Sequence, residues 1–286
     1  TINGDAFSDE IKNETIEKIK AEMGKVDLVI YSLASPRRTD PETGVTYKST
    51  LKPVGQAYTT KTYDTDKDKV HEVSLEPAND EEILNTIKVM GGEDWERWMD
   101  FLREADVLAE GCKTTAYTYI GKELTWPIYG QATIGKAKED LDRAAAAIIG
   151  KNSDLLVQAN VSSLKALVTQ ASSAIPVMPL YISLIYKVMK EEGTHEGCIE
   201  QIHGLFTQCL FGNTPTLDEA NRYRMDGKET NDATQAKIKA LWDQVTQENF
   251  HDLSDYKGYN HEFLKLFGFD ISSVDYDSEV DPMVNW

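Results

Sequence analysis

Two side chains whose types suit acid–base chemistry stand close together near the middle of the chain. Lys138 follows Tyr129 after eight intervening residues, and the sequence between them leads into a predicted helix. A phenol at the entrance of that helix would lie within reach of an ammonium about two turns on. A phenol has a pKa of about 10, and a nearby cation favours its ionised form. The pair can therefore donate a proton to a carbonyl oxygen or stabilise negative charge on it. A core aromatic beside a solvated lysine has the same spacing, and spacing alone favours that interpretation.

A glycine-containing stretch in the same region imitates a phosphate-binding loop. The segment from Gly130 to Ala137 fits the G-x-x-x-x-G-K pattern, but Ala137 stands where a hydroxyl must hold Mg²⁺. Pro127, shortly before it, would interrupt the central strand that such a loop follows. The sequence therefore argues against a nucleoside triphosphatase. It also contains no G-x-G-x-x-G, so the pyrophosphate loop of a dinucleotide, if one binds, is expected outside these 286 residues.

Composition and charge exclude several classes of protein. The chain is 41% hydrophobic and 27% charged, as in ordinary globular domains. The formal net charge of -18 opposes binding to nucleic acid or to anionic membranes. No apolar run approaches the ~20 residues of a membrane span. The histidines and cysteines show no metal-ligand spacing, so we expect no metal site, no disulfide framework and a reducing compartment.

The elements that would position the pair follow an alternating pattern of helix and strand. Residues 9–23 carry apolar side chains at helical spacing behind a Ser8 N-cap, and residues 26–33 form an almost unbroken apolar run. Such a run is typical of a buried parallel strand. Helix, glycine and buried strand are half of a βαβ unit, so we predict an α/β fold with helices on both faces of a parallel sheet.

The rest of the sequence predicts one α/β domain, 1–286, with an inserted hairpin and a C-terminal annex. A polar stretch at 36–78 contains a predicted β-hairpin insertion, and the acidic text at 212–286 predicts a C-terminal helical annex. The hairpin strands are predicted at 57–63 and 70–75, further strands at 113–120 and 164–169, and helices at 80–90, 93–108, 130–149, 180–192, 195–211, 237–245 and 262–267.

Several segments carry a resemblance to a known family. The longer ones are VDLVIYSLAS, which ends at Ser35, AYTYIGKELTWPIYGQATIGKAK at 116–138 and KALVTQASSAIPVMPLY at 165–181; the shorter ones are NGDAF at 3–7, SPRRTDPETG at 35–44 and KVMGGEDWERW at 88–98. Together they resemble the trans-2-enoyl-CoA reductase family, which includes the long-chain bacterial enoyl-acyl-carrier-protein reductases. The similarity spans essentially the whole chain. Eight residues between tyrosine and lysine is that family's spacing, whereas related short-chain dehydrogenases and shorter enoyl reductases have three or six.

The resemblance implies a fold and a reaction. The family has a Rossmann-type parallel sheet, uses NADH, or NADPH in some members, and reduces the C2=C3 double bond of an enoyl-CoA or enoyl-acyl-carrier-protein thioester in fatty acid synthesis. Carried over to this sequence, Tyr129 would be the donor at the thioester oxygen as an enolate forms. Lys138 would hold the ribose hydroxyls and assist the phenol, and Tyr119 would be the second active-site tyrosine, in contact with substrate. The analogy also implies a monomer, in a bacterial cytoplasm or a mitochondrial matrix.

Cofactor contacts are expected where the predicted strands end, because ligands of parallel sheets bind at the carboxyl ends. Asp5 and Ala6 match the family's adenine-binding pair. The other predicted cofactor contacts are Ser32, Leu33 and Ala34 after the first strand, Leu167 and Thr169 at the end of the third, and Ile175 in the loop at 174–176. The residues predicted to face the acyl chain are Ile182, Leu184 and Ile185. Tight packing explains the small residues, and core packing the three aliphatic ones, equally well.

The chain departs from the family's pattern in one respect. Family members begin with a helical segment and first βα units that carry the Gly-rich pyrophosphate turn, and this sequence starts after them. We expect those strands in a further N-terminal segment of the same protein, since their removal would expose apolar neighbours and a backbone edge. A non-catalytic nucleotide- or acyl-CoA-binding fragment and a ketone reductase using the same pair remain alternatives. Arg37 and Arg38 would either meet a coenzyme A phosphate or belong to a salt-bridged loop.

Overall fold

The computed structural model describes residues 1–33, 35–281 and 283 of the chain. The predicted cofactor contact Ala34 therefore lies outside the described residues. The strands are β1 Val26–Tyr31, β2 Arg37–Thr39, β3 Thr46–Lys48, β4 Tyr58–Asp64, β5 Lys69–Leu75, β6 Leu108–Thr118, β7 Gln158–Ser163 and β8 Tyr223–Arg224. The helices are α1 Asp9–Glu22, α2 Asp80–Met90, α3 Glu93–Glu104, α4 Trp126–Tyr129, α5 Thr133–Lys151, α6 Gln170–Ser173, α7 Met178–Glu191, α8 Cys198–Gly204, α9 Asp232–Gln244, α10 Phe250–Leu253 and α11 Tyr256–Lys265. A 3₁₀ turn at Ser153–Leu155 and a π-helical segment at Leu205–Leu210 complete them.

A four-stranded parallel sheet with the strand order β1-β6-β7-β8 forms the centre of the fold. Val29 and Tyr31 of β1 pack with α1, α3 and α5 on one face of this sheet. Leu28 and Ile30 pack with α8 and the π-helical segment on the other face. Because helices cover both faces of the sheet, the sequence of β1 is an almost continuous apolar run. The predicted class, a parallel sheet with helices on both faces, is confirmed.

The polar stretch at 36–78 forms two antiparallel hairpins. β4 pairs with β5 from Tyr58 opposite Leu75 to Asp64 opposite Lys69, which confirms the predicted hairpin. The pairing of β2 with β3 was not predicted. Each of these two strands has three residues, too few to show an alternating pattern.

The third strand of the sheet lies one segment earlier than the sequence predicted. The predicted strand at 164–169 is wrong, because β7 occupies the preceding six residues and 164–169 continues past the carboxyl end of the sheet. Leu167 and Thr169 therefore follow the strand and do not end it. The sequence pattern did not reveal β7 because the strand contains polar residues. Ser162 is fully buried, and its hydroxyl lies 2.6 Å from that of Thr115 on β6. This hydrogen bond satisfies the buried hydroxyl of Ser162. A polar residue of this kind argues against a buried strand when only the sequence is considered.

Other element boundaries shift by a few residues. α3 ends at Glu104 and β6 begins at Leu108, so the predicted helix at 93–108 is too long and the predicted strand at 113–120 starts too late. α5 begins at Thr133 after the separate short α4. The two-residue β8 was not predicted.

The predicted C-terminal helical annex is confirmed as α9, α10 and α11, which pack on α7. Ile238, Trp242, Phe250 and Tyr259 of these helices are buried in one core cluster with the side chains of α7. α9 begins at Asp232, earlier than predicted. Within the described residues, no helix has the length and apolar character needed to span a membrane.

Candidate active site

Tyr119, Tyr129 and Lys138 converge near the carboxyl end of β6. Tyr119 follows β6 directly, Tyr129 ends α4, and Lys138 lies in the second turn of α5. The Lys138 Nζ lies 4.5 Å from the ring centroid of Tyr129 and 5.9 Å from that of Tyr119. The two tyrosine rings meet edge to face with their centroids 4.7 Å apart. The fold thus brings together the two phenols and the ammonium that were singled out in the sequence.

The connection between α4 and α5 is a closely packed helix entrance. A Cβ added at Gly135 would lie 1.9 Å from the carbonyl oxygen of Gly130, so only glycine allows this approach. Thr133 ties the start of α5 to the segment before the β4–β5 hairpin: its N–H donates to the Lys52 carbonyl at 3.0 Å, and its hydroxyl donates to the Thr50 carbonyl at 2.5 Å. Thr133 and Gly135, two residues of the stretch that imitates a phosphate loop, therefore pack against backbone of neighbouring segments.

The ammonium of Lys138 is buried without a hydrogen-bond partner among the described residues. Burial and, to a smaller extent, the positive charge of Arg222 lower the pKa of Lys138 to about 7. Arg222 is itself paired with Asp142, one turn further along α5, with 2.8 Å between Nε and Oδ1. A buried ammonium with three unused N–H donors is suited to bind the hydroxyl oxygens of a ligand.

The phenol of Tyr129 is buried and uncommitted. Its side chain is 5% exposed, and no hydrogen bond within the described part of the chain engages its hydroxyl. Burial raises the pKa of Tyr129, and the negative charge of Glu229 raises it further. The phenol is therefore neutral near pH 7, with its proton available to an acceptor.

A buried carboxyl that the sequence analysis missed holds the other tyrosine. Glu229 is fully buried, and its Oε1 accepts a hydrogen bond from the Tyr119 hydroxyl at 2.9 Å and from the Tyr181 hydroxyl at 2.9 Å. The Tyr119 hydroxyl also lies 3.1 Å from Thr125 Oγ1. Glu229 stands 110 residues from Tyr119 in a polar segment, so no local pattern marks it.

Three of the predicted cofactor contacts share one cleft. Ala6, Ser32 and Leu33 border a cavity of about 350 Å³ beside β1. The Ala6 carbonyl accepts a hydrogen bond from Trp98 Nε1 at 3.1 Å. The carboxyl of the neighbouring Asp5 accepts a backbone N–H two residues on, at 3.0 Å. These bonds fix the turn before α1 against α3, so the cleft has one rigid wall.

A second cavity, of about 560 Å³, lies between α5 and α6. The predicted contact Ile175 lines it, together with Ile134. Ile134 stands four residues before Lys138 on α5, so the cavity and the ammonium share one face of that helix. Leu167 and Thr169 line neither cavity; Leu167 packs at a core cluster, and Thr169 caps α6.

The loop between α6 and α7 is held by the hairpin insertion. Val177, at the start of α7, has a φ of 77°, an uncommon and strained conformation for a β-branched residue. Its N–H donates to Thr62 Oγ1 of β4 at 3.1 Å. The insertion therefore helps to fix the loop that carries the predicted contact Ile175.

The residues predicted to face an acyl chain are all buried on α7. Ile182, Leu184 and Ile185 have no exposed surface and lie in the same core cluster as Tyr129. α7 is buried on nearly all sides. Burial alone therefore does not distinguish a face for substrate, and their role stays a prediction.

Of the two arginines, Arg38 forms an ion pair, as one alternative predicted, although it lies in strand β2 and not in a loop. Its side chain is buried, Nη1 donates to the Lys88 carbonyl at 2.8 Å and lies 3.6 Å from Glu93 Oε2. Arg37 is exposed. In the described ranges, no group of three or more histidine, cysteine, aspartate or glutamate side chains forms a metal site.

Two family models match the chain. Residues 1–211 match the model described as the trans-2-enoyl-CoA reductase catalytic region, and residues 217–280 match the model described as the enoyl reductase FAD binding domain. An enoyl-acyl-carrier-protein reductase (NADH) of Pseudoalteromonas atlantica is 80% identical over 286 residues, which are 100% of this chain and 73% of that protein.

Solved structures with the same fold include two trans-2-enoyl-CoA reductases. The Treponema denticola enzyme in complex with NAD has a TM-score of 0.93 at 51% identity, covering 98% of this chain and 70% of that one. The Clostridium acetobutulicum enzyme in complex with NADH has a TM-score of 0.93 at 44% identity, covering 97% of this chain and 70% of that one.

The described residues of 217–280 do not fit FAD, which the name of the second model implies. The phosphates of a dinucleotide bind at helix N-termini that follow glycine-rich turns. In this segment the side chain of Asn231 already caps α9, and the carboxylate of Asp255 caps α11. A Cβ at Gly258 would lie 2.3 Å from Asp255 Oδ2, so that turn is filled. The large apolar side chains of these helices, Ile238, Trp242, Phe250 and Tyr259, are buried in the core cluster with α7 and are not available to a flavin ring.

Proposed function

The chain belongs to the trans-2-enoyl-CoA reductase family, and we propose that it reduces the C2=C3 double bond of a trans-2-enoyl thioester with NADH, in fatty acid synthesis. The observation that carries this proposal is the uncommitted Tyr129 hydroxyl beside the unpartnered Lys138 ammonium, within the described residues. Both lie near the carboxyl end of a parallel sheet, where such folds bind ligands. The structures of the Treponema and Clostridium enzymes are complexes with NAD and NADH, and this supports NADH as the reductant.

The residues around the two cavities fit a nicotinamide dinucleotide. Among the described residues the buried Lys138 ammonium has no acceptor, and ribose hydroxyls offer acceptor oxygens. The residues that would hold the cofactor are Asp5 and Ala6 at the adenine, Ser32 and Leu33 beyond β1, Lys138 at the ribose, and Leu167, Thr169 and Ile175 towards the nicotinamide. NADH bound there supplies the hydride that adds to C3 of the substrate.

Tyr129 acts at the thioester oxygen. As hydride reaches C3, negative charge moves to this oxygen, and a donor already in place stabilises it without reorganisation. Tyr129 keeps its proton at Oη until then, because burial and the charge of Glu229 raise its pKa. The charge on Lys138, 4.5 Å from the ring, lowers the cost of negative charge on the phenol oxygen as the proton shifts. C2 then takes a proton from solvent water as the enol oxygen returns its proton to the Tyr129 oxygen, which gives the saturated thioester and restores the phenol.

We propose that substrate lies against Tyr119 and the α7 side chains. The acyl contacts would be Ile182, Leu184 and Ile185, which share a core cluster with Tyr129. Coenzyme A and acyl-carrier protein present the same thioester to the phenol. Parallel assays with crotonyl-CoA and crotonyl-acyl-carrier protein assign the carrier.

We also propose that a further segment of the same protein completes the sheet at β1. In the described part of the chain β1 is the end strand on that side, and Leu28, Val29 and Ile30 border the cavity beside it. An apolar parallel strand with an open edge favours pairing with another strand. Such a segment would carry the pyrophosphate turn. The relatives named above are bacterial, so we place the activity in a bacterial cytoplasm and not in a mitochondrial matrix, and the monomer stays a prediction.

The test is a steady-state assay of the full protein with crotonyl-CoA and each reduced nicotinamide. Equal rates of loss of NADH and of enoyl absorbance are expected. A ketone reductase would instead oxidise NADH with a 3-keto thioester and leave the enoyl absorbance unchanged. A non-catalytic binding protein would take up NADH in calorimetry without turnover. Either of these two results would overturn the proposal.

A further inference from the structure

Glu229 reaches the tyrosines from the segment between β8 and α9, and three elements fix it. Its Oε2 accepts the Ala166 N–H at 2.6 Å, and its carbonyl oxygen accepts Gln235 Nε2 at 2.8 Å. Gln235 Nε2 also donates to the Tyr181 hydroxyl at 3.0 Å. Tyr181 therefore directs its own proton onward, to Glu229 Oε1 at 2.9 Å. The carboxyl is thus held by the segment after β7, by α7 and by α9.

The hydroxyl of Tyr119 is committed to this carboxyl. Its proton points to Glu229 Oε1 at 2.9 Å, so it is not available to a thioester oxygen. The Tyr119 ring stands edge-on against Tyr129 and 5.9 Å from the Lys138 Nζ. Fixing Tyr119 therefore fixes one wall of the space in which Tyr129 and Lys138 meet.

We propose that Glu229 is a positioning residue of the reductase site, acting through Tyr119 and leaving Tyr129 as the phenol with an uncommitted proton. The kinetic part of this inference rests on the proposed function. The titratable groups that face Glu229 are Tyr119, Tyr181 and the buried Lys165. Burial raises the pKa of Glu229 above its ordinary value, and the Lys165 charge and three donated hydrogen bonds oppose part of this rise.

The isosteric variant Glu229→Gln reverses the polarity of the contact and keeps its shape. With the new amide oxygen on the Ala166 N–H, the amide nitrogen faces the tyrosines and donates to Tyr119. We expect kcat to fall about 10- to 100-fold, the scale of one hydrogen bond to a charged group. The KM for NADH should change less than about twofold. Glu219→Gln, at an exposed carboxyl shortly before β8, is the matched control and should keep the wild-type kcat.

A double-variant cycle tests whether Glu229 acts through Tyr119. Tyr119→Phe keeps the ring and removes the hydroxyl that Glu229 holds. The double variant should therefore lose no more kcat than the worse single variant. Multiplicative losses would show that Glu229 acts by another route and would overturn the inference, as would full kcat in Glu229→Gln.

A second readout does not depend on turnover. The ¹³Cζ NMR signal of Tyr119 in the ligand-free protein at neutral pH reports the hydrogen bond of its hydroxyl to Glu229 Oε1. Glu229→Gln should move this signal, because the hydroxyl then meets an amide in place of a carboxyl oxygen, and Glu219→Gln should leave it in place. An unmoved signal in Glu229→Gln overturns the inference even where crotonyl-CoA is reduced. If the signal moves but the wild-type protein does not reduce crotonyl-CoA, the inference is supported and the proposed function alone is overturned.

Discussion

Replacing Lys138 by methionine removes the buried ammonium of the site and keeps most of the side-chain volume. In the ligand-free protein, burial and Arg222 lower the pKa of Lys138 from 10.5 to about 7. One pKa unit corresponds to about 1.4 kcal/mol, so holding this ammonium in the fold costs about 5 kcal/mol. The lysine is therefore expected to be retained for chemistry at the expense of stability.

The sign of the effect with pH follows from the depressed pKa. Between pH 7 and 10.5 the unfolded chain binds a proton at Lys138 that the folded chain lacks, so the free energy of unfolding of the native protein rises with pH across this window. Below it, both states bind the proton and the full cost applies. We expect Lys138→Met to raise the free energy of unfolding by up to about 5 kcal/mol at pH near 6, with the gain vanishing as the pH approaches 10.5.

The assay is urea unfolding of the ligand-free variant and wild type at several pH values, with kcat on crotonyl-CoA measured in parallel. Lys136→Met, at an exposed lysine two residues earlier that pairs with Glu139, is the control and should change the free energy of unfolding by less than about 1 kcal/mol. Activity of Lys138→Met should fall by at least ~10²-fold. If Lys138→Met changes the free energy of unfolding by the same amount at about pH 6 and about pH 9, the cost of burying this ammonium has been misjudged.

Three further outcomes follow from the same structure. Tyr129→Phe should lower kcat by at least ~10²-fold, the scale of a positioned acid, in the NADH-coupled assay; an undiminished rate would remove its role. Lys12→Met should leave the buried Asp94, which lies 2.8 Å from the Lys12 ammonium, without its positively charged partner. The free energy of unfolding measured in urea should fall by about 3–5 kcal/mol, and a change under about 1 kcal/mol would count against this ion pair. Gly135→Ala should destabilise by about 1–3 kcal/mol, because its Cβ meets the Gly130 backbone. Gly150→Ala, on the same helix with open space, should stabilise by up to about 1 kcal/mol, and equal melting temperatures for these two variants would contradict the packing argument.

Local patterns predicted the parts of the fold that depend on neighbouring residues. The side chain of Ser8 caps α1, as its residue type and the acidic first turn predict. β4 and β5 pair at the positions that their alternating pattern and the polar turn between them predict. The Tyr129 to Lys138 spacing crosses a helix entrance, so backbone geometry alone brings them close. The organisation of 1–286 as one domain with an annex from 212 stays a prediction.

Local patterns alone predict the parallel α/β class and the phenol–ammonium pair, because helical and strand periods and a short spacing are set within a few residues. The family was recognised from the resemblance of longer segments. Three features depend on tertiary packing: the third strand contains buried serines, Lys138 has no hydrogen-bond partner among the described residues, and Glu229 holds Tyr119 across 110 residues. Burial, hydrogen-bond satisfaction and pKa depend on which distant segments pack together, and that information is absent from any single stretch of chain.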